Sequence, residues 1–293
     1  MGMVTLFASL LLAVVPTLGT VKSSDGVDIR YEVEGSGAPV IVFVHGWSCD
    51  RSYWRPQIDH FAKFHQVVAI DLAGHGESGL TRKEWTMAAF GADVRAVLEA
   101  LDLRGAVLVG HSMGGPVILE AARLAPDRVA ALVPVDTLAE VENRMSPEAR
   151  EGFLAPIRAD FGAATDGFVR QFMFTPRSDP KLIDRIAGDM AKAPPEVAIP
   201  AMESLFSYDE AAALARVTIP VRLLNADNFP TDLAAARRHK PDVELTVMPR
   251  VGHFLMAEDP EEFNRLLARA VRELTSAARH PDLQGSAEGF GTR

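Results

Sequence analysis

The sequence predicts an α/β fold, a mostly parallel, doubly wound sheet with an inserted helical cap. Three observations carry the prediction. Short apolar runs rich in β-branched residues recur along the chain, helical patterns lie between them, and one long central stretch lacks any such run. Strands buried on both faces read as continuous hydrophobic runs, and their alternation with helices is the mark of a parallel sheet covered on both sides.

The elements follow in order. Val27 to Val33 alternates apolar and polar residues, the period of a half-buried strand, and Gly35-Ser36-Gly37-Ala38-Pro39 makes a turn after it. Val40-Ile41-Val42-Phe43-Val44 is the first continuous run; Val67–Ile70, Ala106–Val109, Val129–Val133 and Val221–Leu224 resemble it, and Val243–Val247 is shorter and mixed. Between them, Ala88–Leu101, Pro116–Leu124 and Glu261–Leu274 carry helical spacing, the last as a clear amphipathic stripe of Phe263, Leu266, Leu267, Ala270, Val271 and Leu274.

From 138 to 215 no strand-like run appears, only short helical patterns broken by prolines. A bare loop of that length is uncommon inside a compact domain. Its Phe and Met residues (Phe153, Phe161, Phe168, Phe172, Met173, Phe174, Met190, Met202 and Phe206) need something to cover, so the segment reads as a cap inserted into a core of residues 21–137 and 216–275. Residues 276–293, rich in Gly, Ser and charge, read as a disordered tail. Residues 1–20 contain the compact apolar run Leu6–Val15, the length of a signal-peptide core and too short to span a bilayer. The expectation is export to the periplasm or beyond, the alternative a cytoplasmic protein with an N-terminal helix.

Composition narrows the partners. The formal charge of -9 over 293 residues argues against nucleic acid and anionic membrane surfaces, and no stable membrane insertion is expected. The single cysteine, Cys49, excludes an internal disulfide and a Cys-based zinc site, and no histidine cluster has ligand spacing, so no metal is expected. Oligomeric state is left open.

The chemistry centres on Val107-Leu108-Val109-Gly110-His111-Ser112-Met113-Gly114-Gly115. A serine hydroxyl is a weak nucleophile that needs a base, anion-stabilising donors and a backbone that presents it to substrate. Here a buried strand enters a turn with glycine two residues before and two after Ser112, then a helix whose N-terminal N–H groups face that point. Gly74-His75-Gly76-Glu77-Ser78-Gly79 formally matches a dinucleotide fingerprint, but Thr81-Arg82-Lys83-Glu84 supplies no close-packed helix after it, and no organic cofactor is expected.

With three more motifs in the same order, the chain resembles the α/β-hydrolase superfamily, in particular its serine-nucleophile esterase and lactonase members. Val44-His45-Gly46-Trp47 looks like the family's His-Gly loop, Asp71-Leu72-Ala73-Gly74-His75-Gly76-Glu77-Ser78 like its D-x-x-G-x-G-x-S loop, and Gly252-His253-Phe254 like its catalytic-histidine turn. The resemblance runs from about Val27 to Leu274 apart from the inserted segment. It implies Ser112 as nucleophile, His253 as base, the backbone N–H groups of Trp47 and Met113 as oxyanion hole, and Trp47 and His45 as substrate contacts. His45, His75 and His111, each beside a motif glycine, also carry a structural reading.

The acid is less plain. The family usually supplies it after the seventh strand in a G-x-x-D-P pattern, and aligning Pro220 and Pro230 with that pattern puts Phe229 at the acid. Asp136, directly after Val133-Pro134-Val135, is the first choice, because some members carry their acid there; Asp227 is the alternative. Asp232 reads as a helix N-cap. A serine at this position disfavours the haloalkane dehalogenases and epoxide hydrolases of the family, which carry aspartate there. The expected reaction is hydrolysis of a small or medium apolar ester or lactone (carboxylic ester hydrolase) through an acyl-serine. The alternatives are a C–C bond hydrolase or cofactor-free perhydrolase on the same triad, or a non-catalytic ligand receptor.

Overall fold

A computed structural model describes residues 16–279. Eight strands form one sheet: β1 (Thr17–Lys22), β2 (Asp28–Glu34), β3 (Ile41–Val44), β4 (Val67–Ile70), β5 (Ala106–His111), β6 (Val129–Val135), β7 (Arg222–Ala226) and β8 (Glu244–Met248). Their spatial order is β1-β2-β4-β3-β5-β6-β7-β8, antiparallel at β1/β2/β4 and parallel from β4 onward. The four runs that form β3, β4, β5 and most of β6 are buried, as their unbroken apolar character implies.

Eleven α-helices are present among the described residues. α1 (Arg55–Phe61), α2 (Met87–Ala100) and α3 (Gly114–Leu124) precede the long insertion. That insertion holds α4 (Pro147–Ala159), α5 (Phe161–Phe172), α6 (Pro180–Met190), α7 (Pro195–Ser207) and α8 (Glu210–Ala215). After it come α9 (Leu233–His239), α10 (Leu255–Glu258) and α11 (Pro260–Arg279). α2 packs on α3, while α1 packs on α11. This division follows from right-handed crossovers, because β3→β4 and β4→β5 move in opposite directions across the sheet. The buried face of α11 is the predicted stripe, with Phe263 and Leu267 fully covered. Each such side chain contributes roughly 1.5–3 kcal/mol by leaving water.

Two boundaries move. Thr17–Thr20, read as the end of a leader, is the first part of β1, which pairs with β2 along Thr17↔Val33 to Lys22↔Asp28. A cut after residue 20 would remove Thr17–Thr20 from this edge strand. The apolar run Leu6–Val15, and with it the export expectation, lies outside the described residues. At the other end the helix runs on to Arg279, so 276–279 are helical and not part of a tail; 280–293 lie outside the described residues. No described helix is long and apolar enough to cross a membrane.

The prolines of the insertion mark helix starts more often than breaks. Pro147, Pro180 and Pro195 stand in the first turn of α4, α6 and α7, where a missing N–H leaves no bond unmade. Pro156 and Pro200 lie inside α4 and α7. Asp232 caps α9 as expected, its Oδ1 accepting the Ala235 N–H at 2.8 Å.

Candidate active site

The site lies where β3, β5, β6 and the segment after β8 end. β5 passes into a turn in which Ser112 has φ 52°, a left-handed conformation that costs a serine energy and holds its side chain out from the turn. Two glycines permit it. A Cβ at Gly110 would lie 2.2 Å from the Gly114 carbonyl oxygen, and one at Gly114 would lie 2.7 Å from that of Val44. The next strand repeats the geometry: Ser112 N–H donates to Val135 O at 2.9 Å, and Asp136, one residue on, has φ 47°. Ser112 and Asp136 therefore leave the C-terminal ends of adjacent parallel strands, one step past the paired residues His111 and Val135.

Asp136 reaches His253. Its Oδ2 accepts from His253 Nδ1 at 2.6 Å, while its Oδ1 accepts the Ala226 N–H at 2.8 Å, fixing the carboxylate between two donors. Asp227 does not reach His253. It is exposed, and its Oδ1 accepts the Arg250 N–H at 2.9 Å, tying the loop after β7 to the loop after β8. Phe229 is 49% exposed. Among the described residues no hydrogen bond joins Ser112 Oγ to His253, though both line one cavity; such bonds commonly tighten only once substrate is engaged.

That cavity has a volume of about 300 Å³. Six of the nine Phe and Met residues singled out in the inserted segment line it: Phe153, Phe168, Met173, Met190, Met202 and Phe206. Trp47 and Cys49 line it as well, and burial pushes the Cys49 thiol far above the ordinary range. Gly46 passes closely behind the serine: a Cβ there would stand 3.2 Å from Ser112 Cβ. Among the described residues neither the Trp47 nor the Met113 backbone N–H has a protein acceptor. Trp47 is anchored by its indole, which donates to Ala198 O of α7 at 2.7 Å.

His45 departs from its expected place as a substrate contact. It is fully buried, and its Nδ1 donates to Gly46 O at 2.8 Å while its Nε2 accepts the Leu72 N–H at 3.0 Å. With both nitrogens used to join two loops, it does not line the cavity. His75 bonds Ala73 O at 3.0 Å, and the loop around it is closed by Asp71, which accepts the Glu77 N–H at 2.9 Å and the Arg51 N–H at 2.8 Å. His111 lines the cavity and donates from Nε2 to His253 O at 2.8 Å, supporting the histidine from beneath.

Sequence reasoning passed over the groups that hold the His253 turn. Glu258 Oε1 accepts the Gly252 N–H at 2.8 Å, and the Ser178 hydroxyl donates to Oε2 at 2.5 Å. His253 N–H donates to Met173 O at 2.7 Å, so the inserted segment grips the turn from the other side. A Cβ at Gly252 would come within 2.5 Å of that same carbonyl. Burial raises the Glu258 carboxyl above its usual range, with the Ser178 and Gly252 bonds opposing that rise. Glu258→Ala is expected to lower kcat about 10²-fold through misplacement of His253. Glu258→Gln, which keeps an acceptor for Gly252, should stay close to wild type; equal losses in both would contradict a positioning role.

Burial also holds His45, His75 and His111 neutral, with His75 lowered to about 3. In the unfolded chain these groups bind protons below about 6.5, so acid favours unfolding: their contribution is present above that value and is lost as pH falls toward the folded pKa. For His75 alone the loss at pH 5 is roughly 2 kcal/mol. Glu210, pushed up to about 7 by burial, works the other way, favouring the folded state as pH falls from 7 toward 4.5. Denaturant melts at pH 7.5 and 5 should therefore show acid destabilisation, steeper in Glu210→Gln. A flat profile in that variant would contradict the assignment.

Strand-end loops thus bring a turn serine and a histidine to one apolar cavity, with a carboxylate bonded to the histidine, on a doubly wound sheet. The chain belongs to the alpha/beta hydrolase family, whose profile matches residues 41–266. It is similar to the dihydrolipoyllysine-residue acetyltransferase component of an acetoin cleaving system from Pseudomonas putida (28% identity over 83% of this chain) but spans only 66% of that protein. Similarity to a 3-oxoadipate enol-lactonase from Acinetobacter baylyi is 25% over 85% of this chain and 95% of the relative. In structure it resembles an esterase from Thermogutta terrifontis, with a TM-score of 0.77 and 26% identity, covering 88% of this chain and 99% of the esterase.

Proposed function

We propose that the chain hydrolyses carboxylic esters or lactones of small or medium apolar acyl groups through an acyl-serine intermediate. The observation that carries this is the 2.6 Å contact of His253 Nδ1 with Asp136 in a turn that shares its cavity with Ser112. In this reading His253 Nε2 takes the Ser112 proton as Oγ bonds to the substrate carbonyl carbon. The Trp47 and Met113 N–H groups receive the oxyanion, each such donor being worth about 3–4 kcal/mol. The proton on His253 then passes to the departing alkoxide, leaving the acyl group on Ser112. Water, deprotonated by His253, releases the acid and restores the serine. Asp136 fixes the tautomer that keeps Nε2 free and stabilises the imidazolium between steps. Met113 is fully buried at the N-cap of α3, so its N–H lies at the positive end of that helix.

The apolar lining favours an uncharged hydrocarbon substituent on the reacting carbonyl. The likeness to an esterase and to an enol-lactonase points to the same bonds. The test pairs a fluorophosphonate probe with a panel of p-nitrophenyl esters, lactones, diketones and peroxide-dependent halide oxidation. Ser112-specific labelling with turnover of esters or lactones is the expected result. Labelling with turnover of diketones alone would replace it with C–C hydrolysis, and halide oxidation alone with perhydrolysis. Absence of labelling in folded protein would leave a ligand receptor.

A further inference from the structure

The catalytic cavity, at about 300 Å³, is at the small end of ordinary ligand sites, which run to roughly 1,000 Å³. Its outer wall is two phenylalanines of the inserted segment. Phe153 of α4 and Phe168 of α5 meet edge to face, ring centroids 5.0 Å apart and planes at 90°. The other side of that wall is not core. An open surface groove of about 510 Å³ runs between α4 and α5, lined also by the small residues Gly152, Ala163, Ala164 and Gly167 and by Phe172, which is 48% exposed. Phe153 and Phe168 thus line both spaces.

The geometry points to this groove as the subsite for the distal part of an unbranched hydrocarbon chain on the substrate, with Phe153 and Phe168 as the partition that such a chain displaces. The inference rests on the ester or lactone reading above and extends it from small substrates to chains longer than the inner cavity holds. Three observations favour this occupant. The groove adjoins the catalytic cavity, and only two side chains, Phe153 and Phe168, line both. No charged residue lines it, and Gln171 is its one polar side chain. Its lining includes two glycines within helices, Gly152 of α4 and Gly167 of α5, which the helices themselves do not require: glycine in a helix interior costs roughly 1 kcal/mol relative to alanine.

Those glycines also supply the test. A Cβ added at Gly152 or Gly167 meets nothing within 4 Å, and neither residue has a positive φ, so leucine there fills the groove without straining the fold. The expected result for Gly167→Leu is a fall on the order of tenfold or more in kcat/KM for p-nitrophenyl decanoate, with p-nitrophenyl butyrate unchanged. Phe168→Ala should raise the decanoate/butyrate ratio. Running the same comparison with decyl and butyl acetates tells whether the chain belongs to the acyl or the alcohol side.

Binding of decanoate and butyrate to Ser112→Ala protein, with and without Gly167→Leu, separates the subsite from the chemistry. Weakened decanoate binding without any ester turnover would keep the groove and overturn the ester reading. Turnover of esters with identical chain-length profiles and identical decanoate binding in both backgrounds would overturn the groove alone.

Discussion

Replacing Ser112 with alanine is expected to lower kcat on ester substrates by about 10⁶-fold, the loss seen when the nucleophile of a serine–histidine–acid unit is removed. The residual rate should come from the oxyanion donors and substrate binding alone. Because the three groups act as a unit, adding His253→Ala to Ser112→Ala should cost little more. A strictly additive double loss, measured by single-turnover assay, would show that serine and histidine work separately. The substitution should also leave the fold intact, but it keeps the Cβ and with it the cost of the left-handed backbone. Ser112 has φ 52°, so glycine there should be tolerated at least as well as alanine in thermal melts.

The second large effect concerns the acid. Asp136→Asn keeps the volume and an oxygen for the Ala226 N–H. It cannot hold the imidazole in the tautomer that leaves Nε2 free to accept, so kcat should fall about 10⁴-fold. Asp227→Asn should stay within a few-fold of wild type, since Asp227 is exposed and its carboxylate only accepts from Arg250. The pair decides the matter in one experiment: a near-normal Asp136→Asn enzyme would remove Asp136 from the mechanism, and a collapse in Asp227→Asn would put the acid on the loop after β7.

What could be read in advance follows the kind of force involved. β4 and β5 were plain because a strand buried on both faces must be apolar at every position, and their sequences are. β1 was missed because it is an exposed edge, Thr17-Leu18-Gly19-Thr20-Val21-Lys22, without either pattern, and it follows directly on an apolar run. The Ser112 turn was legible because its glycines are local necessities. The carboxylate partner of His253 was not, since the choice between Asp136 and Asp227 depends on which strand end faces His253. That relation is set by the register of β6 against β5 and β7. His45 failed for a related reason: a histidine beside a loop glycine can turn toward the cavity or toward Leu72, and only the position of the neighbouring loop decides. Met173 holds the His253 turn through its backbone carbonyl, which leaves no trace in residue type, and Glu258 through a carboxylate whose target is a backbone N–H.

Two backbone carbonyls of the inserted segment have a bearing on modularity. The helical segment between β6 and β7 accepts the Trp47 indole N–H at Ala198 O and the His253 N–H at Met173 O. It therefore braces one loop on each side of Ser112. Excising the segment and joining the strands by a short linker would leave both donors without their acceptors and both loops without a wall. The insertion is thus less an accessory than a keystone. Recombining such segments between relatives should succeed only where those two carbonyls are delivered to the same places.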